Sequence, residues 1–187
     1  MTLSRTDFIA QVEQLFANQG QAQYGEDISQ TQHALQCATL AQRSGCSESL
    51  IVAALLHDIG HLYESPEASA AHDLRHEEQA ANLLRNVLPE SVWQPIRLHV
   101  AAKRYFCAVD PAYHADLSSA SRDSLALQGG PFDPSAANAF LRAPFAKDAL
   151  TLRRLDDLGK DPHMQTPPLS HFYPLIENLL VAHEQAA

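Results

Sequence analysis

The feature that most constrains this fold is a charged pair placed directly behind the most apolar stretch of the chain. Residues 50–56 form an uninterrupted apolar run, and His57 and Asp58 follow at once. A stretch that is apolar on every side predicts a helix buried in the middle of the structure. Because a buried carboxylate is costly unless it is paired or bound to a metal, the fold must supply Asp58 with a cationic partner.

Histidine is the residue type that offers such a partner, since the chain contains ten of them. We predict that the helix capped by Ser47 continues through His61, so that His57 and His61 lie on one face. A single histidine is more often a hydrogen-bonded core or surface residue. An adjacent His-Asp pair in an apolar helix, with a second histidine four residues later, indicates a metal site instead.

Helical periodicity predicts an all-α protein, a compact bundle of six or seven helices in a single domain over residues 1–187. The predicted helices cover residues 8–16, 29–44, 47–61, 76–87, 91–105, 145–158 and 172–183. Ser29 and Gln32 form a capping-box pattern at the start of the second helix. Gly- and Pro-rich stretches at 128–134 and 159–168 predict loops.

Charge and composition exclude several classes of partner. The net charge of −9, from 22 acidic and 13 basic residues, argues against nucleic-acid and anionic-membrane partners, which require a basic surface. The longest apolar run is far shorter than the roughly 20 residues of a membrane span. The first residues show no signal-peptide pattern, and the three cysteines form no CxxC pair. We therefore expect a cytoplasmic protein with reduced thiols.

Three segments resemble the core motifs of the HD-domain metalloprotein superfamily. They are HALQCATLAQ at residues 33–42, AALLHDIGH at 53–61 and LRRLDDLGK at 152–160. The resemblance covers nearly the whole chain and implies the helical HD-domain fold. It does not determine the reaction, because most members of the superfamily are metal-dependent phosphohydrolases.

Four further segments resemble a narrower group, the mixed-valent diiron oxygenases that cleave the carbon–phosphorus bond of 1-hydroxyphosphonates. They are YGEDISQTQHALQ at 24–36, RHEEQAANLL at 75–84, LHVAAKRYF at 98–106 and SLALQGGPF at 124–132. A lysine four residues after a ligand histidine and a Gln-Gly-Gly loop are marks of this group. The resemblance implies two iron ions as cofactor and O2 as co-substrate.

The resemblance also implies six metal ligands that share one bridging carboxylate, Asp58. One iron would be held by His33, His57, Asp58 and Asp156, and the other by Asp58, His76 and His99. Imidazole suits iron, and a bridging carboxylate holds two cations close together.

Substrate-binding and catalytic positions follow from the same resemblance. Lys103 and Arg153 would hold the phosphonate, since ammonium and guanidinium groups suit a dianion. Ser121 would assist them, and His61 would lie near the reacting carbon. The remaining expected substrate contacts are Tyr24, Glu26, Asp27 and Gln128.

The expected reaction is O2-dependent cleavage of a 1-hydroxyphosphonate to a carboxylic acid and phosphate. Asp27 and Tyr24 favour the 2-trimethylammonio substrate, which gives glycine betaine, over the 2-amino substrate, which gives glycine. One alternative is a metal-dependent hydrolase of a nucleotide or phosphomonoester. Another is an inactive metal-binding or regulatory module, which the intact ligand set disfavours.

Overall fold

Helices make up every regular element that the structure, a computed structural model, describes within residues 5–22, 27–63 and 75–181. The α-helices are α1 (Arg5–Gln19), α2 (Gln30–Arg43), α3 (Glu48–Leu56), α4 (His76–Leu84), α5 (Glu90–Val109), α6 (Pro111–Asp116), α7 (Ser119–Leu127), α8 (Pro134–Arg142), α9 (Ala146–Leu158) and α10 (Tyr173–Leu179). Two short 3-10 helices cover Ile59–Tyr63 and Leu169–Phe172. The prediction of an all-α fold is confirmed.

Four helices form the centre of the molecule: α2, α3, α5 and α9 all pack against one another except α2 and α5. Their shared core contains fully buried side chains such as Leu55, Leu56, Ile96 and Leu152. Burial of these side chains is the main source of stability, at roughly 1.5–3 kcal/mol for each large aliphatic group. Each of the four helices also carries, or directly precedes, one of the predicted metal ligands.

The helix that carries the apolar run is shorter than predicted. The helix α3 ends at Leu56, His57 is its C-cap, and a 3-10 helix begins at Ile59, so the prediction of one helix through His61 is wrong. Glycine is required after this turn, because a Cβ atom at residue 60 would lie 2.2 Å from the backbone oxygen of His76. The chain has to turn, with glycine at residue 60, to pack closely against the start of α4.

Other local predictions agree with the structure. The capping box is present, since Ser29 Oγ accepts from the Gln32 N–H at 3.2 Å and Gln32 Oε1 accepts from the Ser29 N–H at 2.8 Å. The predicted helices at 76–87, 91–105 and 172–183 are found with different ends, and residues 182–187 lie outside the described part.

The segment between residues 111 and 142 departs further from the prediction. It holds the helices α6, α7 and α8, whose short apolar patterns gave no clear periodicity. In the described part of the chain, no helix is both long and apolar enough to cross a membrane.

Candidate metal centre

Six side chains from different parts of the chain meet in the middle of the bundle. They are His33, His57, Asp58, His76, His99 and Asp156, and each residue is at most 8% exposed. The helices α2, α4, α5 and α9 each contribute one of them, and the end of α3 contributes the His-Asp pair. The helical packing described above is therefore what brings the six predicted ligands together.

Asp58 lies at the centre of this cluster and faces both halves of it. Its Oδ2 lies 3.7 Å from His33 Nε2 and 3.5 Å from His57 Nε2. Its Oδ1 lies 3.5 Å from His76 Nε2 and 3.7 Å from His99 Nε2. Each carboxylate oxygen thus faces its own pair of imidazoles, which is the arrangement that a carboxylate bridging two cations requires.

Within each half, the imidazole Nε2 atoms point at one another. The Nε2 atoms of His33 and His57 are 3.2 Å apart, and those of His76 and His99 are 3.1 Å apart. Asp156 completes the first half, with its Oδ1 lying 3.4 Å from His33 Nε2. Two nitrogen lone pairs at this separation repel each other unless a proton or a metal cation lies between them, so the donor set fits bound metal.

Backbone carbonyl groups fix the orientation of three of these rings. In each case the Nδ1–H donates to a carbonyl oxygen, which leaves the Nε2 lone pair directed into the cluster. The pairs are His33 with Gly159 (2.8 Å), His57 with Ala54 (3.0 Å) and His99 with Ile96 (2.7 Å).

Burial and neighbouring charges shift the pKa values of the cluster in both directions. Burial is the largest cause that lowers the pKa of His99, and the neighbouring His76 and His57 lower it further. Burial likewise lowers the pKa of His57. For Asp58 burial raises the pKa, but the nearby His57, His76 and His61 outweigh it and leave the pKa below its ordinary value. For His33 burial lowers the pKa, but Cys37 and Asp156 outweigh it and raise the pKa above its ordinary value. Metals bind neutral imidazoles and ionised carboxylates, so metal binding would release a proton from His33.

Arg153 connects the predicted ligand Asp156 to two neighbouring residues, Asp157 and Tyr113. Its Nη1 lies 2.8 Å from Asp156 Oδ2, while its Nε and Nη2 donate to the two carboxylate oxygens of Asp157. The hydroxyl of Tyr113 accepts from Arg153 Nε at 3.1 Å and donates to Asp157 Oδ2 at 2.7 Å. Burial lowers the pKa of Arg153, but Asp156 and Asp157 outweigh it and hold the pKa above its ordinary value.

A second group of polar residues is formed by two serines of the helix α7 and two lysines from other elements, and we call it the lysine–serine cluster: Lys103, Ser121, Ser124 and Lys160. Lys103 Nζ donates to Ser124 Oγ at 2.8 Å, and Lys160 Nζ donates to Ser121 Oγ at 3.3 Å. Ser124 Oγ in turn donates to the Ser121 backbone oxygen at 3.2 Å. One turn of α7 therefore binds two lysines that come from different elements.

The other predicted site residues have varied positions. The His61 ring is partly buried and stacks on the His76 ring, with centroids 4.0 Å apart. Asp27 is exposed just before α2, whereas Tyr24 and Glu26 lie outside the described residues. Gln128 ends α7, and its buried side-chain oxygen accepts no hydrogen bond from any described residue.

Four residues that contact the predicted site residues were not singled out from the sequence. Asp157 has a recognisable signal, because it lies four residues after Arg153 and so faces the same side of a helix. Ser124, Tyr113 and Lys160 have no such signal. Tyr113, for example, meets Arg153 across 40 residues of sequence.

Comparisons with known proteins identify a family and relatives that agree with this geometry. The HD domain family model matches residues 31–122. Over 185 residues the chain is 38% identical to the 1-hydroxy-2-(trimethylamino)ethylphosphonate dioxygenase (glycine-betaine-forming) of Leisingera caerulea, covering 97% of this chain and 94% of that protein. The chain belongs to the HD-domain dioxygenase family. The family that the sequence motifs indicated is confirmed.

Two more relatives support this assignment. The hydroxymethylphosphonate dioxygenase of Gimesia maris is 37% identical over 186 residues, covering 96% of this chain and 92% of that protein. An uncharacterised protein of Acanthamoeba polyphaga mimivirus is 32% identical over 153 residues, covering 79% of this chain and 70% of that protein. The buried cluster of this oxygenase contains a group of histidine and aspartate side chains whose ligand atoms lie close enough together to hold a metal ion.

Proposed function

We propose that this enzyme holds two irons and uses O2 to cleave the carbon–phosphorus bond of (R)-1-hydroxy-2-(trimethylammonio)ethylphosphonate, giving glycine betaine and phosphate. The observation that carries the proposal is the position of Asp58, whose two oxygens each face a separate pair of imidazoles. A hydrolytic site that uses one metal has no need of a second pair of histidines beyond the bridging carboxylate.

The donor set supports iron as the metal. Imidazole nitrogens and carboxylate oxygens suit iron, and no thiolate is required among the six ligands. Three of the four ligand histidines direct an Nε2 lone pair inward because their Nδ1–H is bound to a carbonyl oxygen. When bound, the two irons would supply the binding and reduction of O2.

The overall reaction balances without another reductant. One hydroxyphosphonate and one O2 give one carboxylic acid and one phosphate, and the two products together contain both oxygen atoms of O2. At the reacting carbon, the C–H and C–P bonds break. The substrate supplies all four electrons that O2 accepts.

The chain's own residues would bind and orient the substrate. Lys103 and Arg153 lie in buried positions where a charge-assisted hydrogen bond to a phosphonate oxygen is strong. His61, which stacks on the predicted ligand His76, would contact the substrate next to the metals. Orientation of the reacting carbon by such contacts accounts for a large part of the barrier reduction in reactions of this kind.

The choice of amine rests on the residues before α2. A trimethylammonium group has no N–H donor, so it is recognised by diffuse negative charge and by aromatic faces. Glu26, Asp27 and Tyr24 offer both of these features. An acidic residue at this position also favours a helix N-terminus electrostatically, and the experiment below separates the two roles of Asp27.

The test is a panel of three 1-hydroxyphosphonates, namely the trimethylammonio, amino and hydroxymethyl compounds, each assayed for released phosphate with and without O2. We expect phosphate release only with O2, and the highest kcat/KM with the trimethylammonio compound. Faster turnover of either other compound would contradict the choice of substrate. Turnover of a nucleotide or phosphomonoester without O2 would contradict the oxygenase and support the hydrolase.

The same panel on Asp27→Asn tests the contact to the substrate's cation. We expect kcat/KM to fall for the trimethylammonio compound and to stay unchanged for hydroxymethylphosphonate, which carries no cation. Equal values for both proteins on every substrate would leave Asp27 as a helix-end charge alone.

A further inference from the structure

The turn that follows α7 contains two consecutive glycines with left-handed backbone angles. The φ angle is +90° at Gly129 and +68° at Gly130, a region that residues with a side chain rarely adopt. The turn is closed by hydrogen bonds from the Gly129 N–H to the Ala126 oxygen at 3.3 Å and from the Gly130 N–H to the Leu125 oxygen at 2.9 Å. The chain therefore reverses directly behind Gln128, the C-cap of α7, and the position of Gln128 depends on this turn.

Arg104, on the helix α5, makes three hydrogen bonds to the segment after α7. Its Nε donates to the Gly130 oxygen at 2.7 Å, and its Nη2 donates to the Gly129 oxygen at 3.2 Å. Its backbone oxygen accepts from the Phe132 N–H at 3.2 Å, and its guanidinium carbon lies 4.4 Å from the centre of the Phe132 ring. A planar guanidinium can donate to two carbonyls and stack on an aromatic face at the same time. One residue thus joins the turn to α5.

The residue before Arg104 holds the same segment at its other end. Lys103 Nζ donates to Ser124 Oγ at 2.8 Å. Ser124 and Gln128 are four residues apart, so they lie on one side of the helix. Two neighbouring residues of α5 therefore fix both ends of the segment from Ser124 to Gly130.

Gln128 is a predicted substrate contact that offers a buried acceptor. Its Oε1 receives no hydrogen bond from any residue that the structure describes. A buried acceptor without a donor is unfavourable, so this oxygen is available to a donor on a ligand. The 1-hydroxyl group, which all compounds of the substrate panel share, is such a donor. Because hydrogen bonds weaken steeply with distance and angle, this contact requires that the end of α7 be held firmly.

We propose that Arg104 is a positioning residue for substrate binding, which holds the end of α7 so that Gln128 reaches the substrate. The inference deepens the proposed function and rests on it. Arg104 acts through the carbonyls of Gly129 and Gly130 and makes no contact with the substrate itself. A purely structural role would stabilise the loop over residues 128–132 and leave ligand binding unchanged.

The experiment is a double-mutant cycle on substrate binding. Arg104→Met removes the guanidinium, Gln128→Met removes the amide, and a third variant carries both changes. Arg142→Met is the matched control, because Arg142 is exposed at the end of α8 and its substitution changes the net charge as Arg104→Met does. Titration calorimetry without O2 measures the Kd of the metal-containing enzyme for whichever panel compound the wild type binds most tightly. Metal content and Tm are measured on each sample.

We expect Arg104→Met to raise the Kd about fivefold or more and Arg142→Met to leave it within about twofold of the wild type. In the Gln128→Met background, Arg104→Met should change the Kd by less than about twofold, because the contact that it positions is already lost. With O2 present, Arg104→Met should raise KM far more than it lowers kcat. All variants should retain the wild-type metal content.

Three results would overturn the proposal: an unchanged Kd in Arg104→Met, losses in the two single variants that add fully in the double variant, or no binding of any panel compound by the wild type. The proposed function can fail separately. Binding that depends jointly on Arg104 and Gln128, without O2-dependent phosphate release, would contradict the reaction and retain the role of Arg104.

Discussion

The metal centre and the lysine–serine cluster differ in what holds their side chains. Three rings of the proposed metal centre are fixed by backbone carbonyls, and its six predicted ligands are nearly inaccessible. The lysine–serine cluster depends on side-chain contacts, and Lys160 is only partly buried. The backbone of the fold therefore holds the metal centre in place, whereas the lysine–serine cluster depends on which side chains are present. Substitutions should separate the two, with loss of metal in one and loss of anion binding in the other.

The largest effect is expected from Asp58→Ala. Both halves of the metal centre lose a ligand, so metal content should fall to one ion or none per chain and activity should vanish. Loss of metal that binds only the folded state also lowers the free energy of unfolding. Elemental analysis checks the metal content, with Asp123→Ala as the control because Asp123 is an exposed aspartate on α7. Two metals retained in Asp58→Ala would contradict the bridging position.

Arg153→Ala should weaken both metal binding and substrate binding, because Arg153 contacts Asp156 and is also a predicted phosphonate contact. Removing it leaves the buried carboxylate of Asp156 and the partly buried carboxylate of Asp157 without this cation. Loss of the partner of a buried charge costs about 3–5 kcal/mol. We expect lower metal content, a lower Tm and a higher KM together. Full metal content with only a raised KM would place Arg153 in the phosphonate subsite alone.

Lys103→Met tests the lysine–serine cluster separately from the metal centre. Methionine keeps the length of the buried side chain but removes the ammonium that donates to Ser124. We expect substrate binding to weaken by about 2–5 kcal/mol while metal content stays at the wild-type level. Loss of metal in this variant would show that the lysine–serine cluster and the metal centre are not separable.

Gly159→Ala tests how the two regions are joined. The φ angle of −79° suits any residue, but a Cβ atom would lie 2.5 Å from Cys37 Sγ. The resulting shift should displace the carbonyl that accepts from His33 and lower stability by about 1–3 kcal/mol. Urea unfolding measures this, and adding Cys37→Ala should restore part of the loss. No recovery in the double variant would mean that contacts to the backbone, and not the thiol, cause it.

The smallest effect is expected from Tyr113→Phe. This change removes the hydroxyl that accepts from Arg153 and donates to Asp157, at a cost of about 1–2 kcal/mol in the free energy of unfolding. KM should rise slightly, because one edge of the guanidinium is held less firmly, and metal content should not change. A loss of metal equal to that of Arg153→Ala would make Tyr113 part of the metal centre.

The sequence predicts those parts of the site that depend on short-range patterns. The His-Asp pair behind an apolar run, the capping box at Ser29 and the histidine of α2 are readable because neighbouring residues determine them. They suffice to predict the helical class and a metal site at the His-Asp pair. The six predicted ligands, by contrast, follow only from the resemblance of the longer motifs to a known family.

What the sequence does not predict depends on long-range contacts. Just after the end of α3, Gly60 packs closely against the backbone of His76, and no local sequence pattern predicts this contact. Tyr113 and Lys160 likewise find their partners 40 and 39 residues away. Such pairings arise only when the helices have packed.

The most direct test of the two-metal account is the iron content of the purified enzyme, measured together with its electron paramagnetic resonance spectrum under limited O2. The account predicts two irons per chain and a signal from a coupled Fe(II)/Fe(III) pair, with both lost in Asp58→Ala. Fewer than two irons and no mixed-valent signal in an active wild-type enzyme would contradict it.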